Sequence, residues 1–131
     1  MTTHLDPLPR PAHHVPAHAE DAAFRVRDVS ALERAAVDWR RQHGFKPAGA
    51  DAVRVHLLVI DDQVDFSFPE GALYVAGRSG KGAMEAQRRL VTFGYRYLHR
   101  ISEVTCTLDT HLPYQIFFPS AHLRDDGSHP T

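Results

Sequence analysis

The chain has 131 residues, 43% of them hydrophobic and 24% charged, with a formal net charge of −1. That length and composition suit one globular domain rather than two, and a near-neutral balance argues against a dedicated nucleic-acid binder, which needs a strong basic excess. The longest apolar stretch, Val55 to Ile60, is too short to span a bilayer; no apolar run follows Arg10 to act as a secretory signal; and one cysteine, Cys106, fits a reducing cytoplasm without disulfides.

Residues 1–20 hold four of the nine prolines and four of the ten histidines, with almost no apolar periodicity. Proline at that density removes backbone donors and interrupts helices, so residues 1–21 read as a disordered arm. His4, His13, His14 and His18 offer weak metal ligands, but a solvated tail is the simpler reading.

Residues 22–50 read as a helical extension. Ser30 and Glu33 have the spacing of a capping box, in which each side chain satisfies a free backbone amide. Leu32, Ala35, Ala36 and Trp39 then recur on one helical face, with Trp39 as the anchor to the main body. Gly44 and Pro47 end the element, which gives a helix over about 31–42.

Val53 to Ile60 is short, β-branched and almost continuously apolar, as expected of a strand buried on both faces of a parallel sheet. It ends at Asp61-Asp62. A glycine-rich loop follows, and then Ala83, Ala86, Leu90, Phe93, Tyr97 and Ile101 mark an amphipathic helix whose other side carries Arg88, Arg89, Arg96 and Arg100. Glu103 to Leu108 is a second strand, ending at Asp109. Strand, helix and strand make a βαβ unit, with a right-handed crossover expected.

Open parallel sheets bind ligands outside the carboxyl ends of their strands, so Asp61 and Asp109 would share a crevice if the strands are neighbours. Capping of the following turn is the plainer role for either acid. In Asp109-Thr110-His111 the first and third side chains project to the same side of an extended segment, a pairing suited to zinc, iron or manganese. A third ligand would come from the later loop, from His122 or His129. Cys106 alternates to the opposite side from Asp109, which favours a buried structural thiol over a nucleophile. Gly77 to Gly82 fails as a phosphate loop: only two residues separate Gly77 from Gly80-Lys81, and Gly82 stands where a hydroxyl is required. A glycine turn leading into the helix suffices there.

Leu57 to Leu73 (LLVIDDQVDFSFPEGAL) resembles the opening strand and loop of the isochorismatase-like cysteine hydrolases, nicotinamidases in particular. Thr107-Leu108-Asp109-Thr110-His111 is similar to that family's Thr-x-Asp-x-His at the end of its second strand. The resemblance implies an α/β fold, a parallel-sheet Rossmann-like three-layer sandwich. Only the first βαβ unit would be present, as an incomplete hydrolase domain over residues 51–131 behind the helical extension.

By the same resemblance, Asp61 corresponds to the catalytic aspartate, which takes the thiol proton and passes it to departing ammonia. Gln63 and Phe66 correspond to the substrate pocket, Asp65 to loop structure, and Asp109 and His111 to ligands of a divalent metal (zinc, iron or manganese). His129-Pro130 fits the further histidine ligand best, with His122 as the alternative; a histidine found in some members just after the Asp-x-His is replaced by Gln115 or absent. The implied substrate is nicotinamide or a similar amide, in the cytoplasm, with no nucleic-acid or membrane partner. The family's lysine and nucleophilic cysteine lie on later strands and have no counterpart here; Lys46 and Lys81 fall in the wrong segments. The chain alone is therefore expected to be inactive and marginal as a monomer, completed by a second copy or by the remainder of a hydrolase domain. Three other readings stay open: an inactive metal-binding or interaction module, another hydrolase of the isochorismatase family, and an unrelated doubly wound regulator holding magnesium on Asp61 and Asp109.

Overall fold

The structure is a computed structural model that describes residues 6–110, 115 and 119–129. The first long helix, α1 (Val29–Gln42), starts two residues before the expected position 31, and its cap differs from the expected one. The carboxylate of Asp28 accepts from the Ala31 amide at 2.8 Å, which satisfies a free donor of the first turn. At the other end Gly44 takes φ +64°, Gly44 N donates to Arg41 O and Phe45 N donates to Arg40 O. That paired closure is a Schellman motif, with glycine where the left-handed conformation is required. Trp39 is buried; its ring contacts are local, edge-on to His43 and Phe45 at 5.0 and 5.3 Å.

Strand β1 (His56–Val59) pairs in parallel with β2 (Glu103–Cys106), in the register His56 with Glu103 through Val59 with Cys106. Between them lie a single turn, α2 (Val64–Ser67), and the long helix α3 (Gly82–Tyr97), followed by a 3-10 turn over Leu98–Arg100. The expected strand–helix–strand order and parallel pairing are thus present, in a mixed helix and strand architecture. The ladder begins where Ser102 N donates to Val55 O at 2.8 Å; the Ser102 hydroxyl accepts from Val55 N and donates to Asp51. It is extended past β2 by Thr107 N donating to Val59 O at 2.8 Å.

The strands are shorter than the apolar runs suggest, and burial on both faces is not observed. Leu58 and Val104 are about half exposed, and Ile60 is 67% exposed. Side chains alternate across a strand, so these exposures fall on both faces of the sheet. The chain exposes 10089 Å² in total, against about 6,900 Å² for a compact monomer of 14.7 kDa. A two-stranded sheet has two edges and few neighbours, and hydrophobic sequence alone does not supply a cover. Cys106 is accordingly exposed, not a buried thiol: alternation assigned its face, but that face is open.

The described part of the N-terminal segment also differs from a solvated tail. Leu8 N donates to Arg96 O at 2.7 Å, and a 3-10 turn over Pro16–Glu20 lies along α3. The His14 ring is buried against Tyr95, with centroids 4.8 Å apart. Glu20 pairs with Arg88 at 3.1 Å. These anchors are a backbone bond, the His13 and His14 rings on Tyr95 and an ion pair, none of which leaves an apolar period in the sequence.

Candidate functional site at the strand ends

Because β1 and β2 are hydrogen-bonded neighbours, their carboxyl ends bring Asp61 and Asp109 to the same end of the sheet. Asp61 is the one non-glycine residue with positive φ, +54°, among the described residues. Aspartate tolerates that conformation better than most side chains, and it turns the chain sharply out of the strand. The Asp61 amide donates to the Thr107 hydroxyl at 3.1 Å, and that hydroxyl donates to the Asp61 carboxylate at 2.7 Å. The carboxylate is thus held over Thr107, whose side chain is on the opposite strand face from Cys106.

Gln63 ties the two exits together. Its amide oxygen accepts from Asp109 N at 2.9 Å, and its amide nitrogen donates to Asp109 O at 3.4 Å. Asp61, Gln63 and Asp109 are all half-buried. Asp62 accepts from the Ser67 hydroxyl at 2.8 Å, and Ser67 and Phe68 are buried.

Phe66 is half-buried on α2, and its carbonyl accepts from Val75 N at 2.9 Å. Asp65 closes the loop: its carboxylate accepts from Ala72 N at 3.3 Å and its carbonyl from Leu73 N at 3.0 Å. Gly71 sits so close to this turn that a Cβ there would collide with the Asp65 and Val64 backbone. Glycine is required at that position by contact, not by φ.

His111 lies outside the described residues, as do His4 and Pro130. His129 and His122 are described: His129 Nδ1 stands 2.7 Å from the His122 carbonyl, a contact that leaves Nε2 as the ring's acceptor when Nδ1 carries the hydrogen. Among the described residues no three His, Cys, Asp or Glu side chains gather as a metal-binding group; the expected set includes His111, which lies outside them. The described donors do not make up a metal centre by themselves, and no chemical step is assigned to a metal.

Sequence reasoning had Asp61 and Asp109 at one crevice, but missed Thr107 as the Asp61 partner. That pairing joins residues 46 apart, and no local pattern signals it. Comparison with protein-family models, with curated proteins and with solved structures found no match. No helix among the described residues is long and apolar enough to cross a membrane.

Proposed function

We propose that residues 51–131 are the front part of a nicotinamidase-like cysteine hydrolase domain in which Asp61 is the acid–base group. The observation that supports this best is the Asp61 carboxylate at the end of β1, beside the parallel end of β2, with Gln63 bridging to Asp109. In such a reaction a thiol gives its proton to the carboxylate and attacks the amide carbon. The C–N bond breaks as the carboxylic acid returns the proton to ammonia, and water then hydrolyses the thioester to the free acid. Asp61 suits that role because its second oxygen stays available while Thr107 holds the first.

Phe66 is assigned to the wall of the pocket and Gln63 to its rim. A zinc, iron or manganese ion on Asp109 and His111, with His129 or His122 as third ligand, belongs to the proposal on sequence grounds. The substrate is nicotinamide or a similar small amide, and a cytoplasmic setting goes with it. Cys106 is the one cysteine of the sequence, and it lies on the strand face turned from the Asp61–Thr107 pair. The 131 residues therefore supply an acid–base half without its thiol.

The exposed sheet residues Leu58, Ile60, Val104 and Leu108 favour a second reading, a catalytically inactive interaction module that presents this sheet to another chain. Ammonia release from nicotinamide separates the two. It is measured for the 131-residue chain and for the product of the same gene read together with the DNA downstream of the Thr131 codon. The hydrolase reading requires no turnover from the first and turnover from the second, abolished by Asp61→Asn. A downstream sequence without a lysine and a strand-to-helix cysteine favours the interaction module. Turnover by the 131-residue chain alone overturns the assignment of Cys106 as a bystander.

A further inference from the structure

The N-terminal segment and α3 enclose a groove of about 510 Å³, within the size range of small-molecule sites. Arg10 lines it from the N-terminal side, and Arg88, Arg89, Arg96, Phe93 and Tyr97 line it from α3. A continuation of about 330 Å³ shares Arg10 and Arg96. Both walls are fixed by contacts already described: Leu8 N to Arg96 O, and the His14 ring on Tyr95.

We propose that this groove binds a small phosphorylated molecule bearing a flat ring, with the arginines taking the phosphate and Phe93 and Tyr97 taking the ring. Four guanidiniums around one groove repel each other unless an anion sits among them. The chain has sixteen carboxylates, none of which lines the groove. Glu20 reaches Arg88, while Arg10, Arg89 and Arg96 have no ion pair among the described residues. In a protein of net charge −1, that concentration of unmatched cations is local to this site.

Guanidinium is the side chain whose fork matches phosphate oxygens in bidentate fashion. Arg89 and Arg96 lie two turns apart, about 10.5 Å along the helix axis, so both long side chains can close on an anion seated between them. The Phe93 and Tyr97 rings are tilted at 38° with centroids 5.1 Å apart, one turn apart on α3. An aromatic pair beside guanidiniums recognises a planar ring by stacking, which a bare basic face does not. The groove uses none of the Gly77–Gly82 turn and shares no residue with the Asp61–Asp109 strand ends.

The test is calorimetric titration of the 131-residue chain with ADP, inorganic pyrophosphate and adenosine, at low and at physiological ionic strength. ADP is expected to bind tighter than pyrophosphate at both, with adenosine weakest and the phosphate contribution reduced by salt. Arg89→Gln with Arg96→Gln should weaken ADP about tenfold or more, as should Arg10→Gln with Arg96→Gln, each pair removing charged hydrogen bonds to the ligand. Arg34→Gln, on α1, is the control and should leave ADP affinity unchanged; circular dichroism checks that every variant keeps its helices. No ADP binding up to about 10 mM, the edge of meaningful affinity, overturns the proposal. So does an equal loss in the Arg34→Gln control, which marks diffuse attraction. Pyrophosphate binding as tightly as ADP overturns the role given to Phe93 and Tyr97.

Discussion

The side-chain amide of Gln63 reads the backbone of Asp109, oxygen to amide and nitrogen to carbonyl, across the ends of two parallel strands. The last ladder bond before them is Thr107 N to Val59 O. One residue in the loop after β1 therefore continues the sheet by side chain. The Asp61–Thr107 pair does the same one step earlier. Together they tie the two strand-end acids to each other's strands.

Replacing Gln63 by alanine removes both bonds to the Asp109 backbone and should loosen that edge. The 2.9 Å bond carries most of the effect, since the second is long. We expect a loss of about 1–2 kcal/mol in urea unfolding. An unchanged midpoint would mean that water replaces the amide without cost.

The βαβ order was legible because its signals are local: a β-branched run, a 3.6-residue period and a strand-end acid in each case. The C-terminus of α1 was legible for the same reason, since Gly44 alone specifies a left-handed closure. Its N-terminus was not. Asp28 and Ser30 both offer capping oxygens, and the choice between them depends on where the chain enters the helix. The strand-end bonds joining Asp61 to Thr107 and Gln63 to Asp109 each span 46 residues, beyond any local pattern. Alternation placed Cys106 on a face, but whether a face is covered depends on neighbours that periodicity does not reveal.

Gly71 gives a sharp contrast with Gly49. A Cβ at Gly71 meets backbone atoms of Asp65 and Val64, which cannot yield as a side chain would, whereas a Cβ at Gly49 meets nothing within 4 Å. Gly71→Ala should therefore cost about 2 kcal/mol or more in thermal or urea unfolding, through forced backbone displacement. Gly49→Ala should be within about 0.5 kcal/mol of the parent. Similar values for the two would show that the Asp65–Leu73 turn shifts freely.

Asp61 combines a positive φ with a hydrogen-bonded carboxylate, and two substitutions probe these demands. Asparagine tolerates φ near +54° and keeps an acceptor for the Thr107 hydroxyl, so Asp61→Asn should change stability by less than about 1 kcal/mol. Valine tolerates neither demand, and Asp61→Val should cost about 2–3 kcal/mol from backbone strain and the lost hydrogen bond together. Equal destabilisation by both variants would count against the positive φ.

His14 makes the docking of the N-terminal segment pH-dependent. Both ring nitrogens are buried without a hydrogen-bond partner. Burial first, then the positive charges of Arg10 and His13, hold its pKa below the ordinary 6.5. The folded protein thus keeps His14 neutral at pH values where the unfolded chain has already taken up a proton. Stability from this residue is intact above pH 6.5 and falls as the pH drops from there toward the lowered folded value, below which the loss levels off. Histidine charge changes between about pH 5 and 8, so urea unfolding at pH 7.5 and at pH 5 should show the decrease, and proteolysis near Val15 should accelerate with it. His14→Leu removes the titrating ring while keeping an apolar contact to Tyr95, so its stability should change less between the two conditions. An identical pH dependence in parent and variant would assign the effect to the other histidines instead.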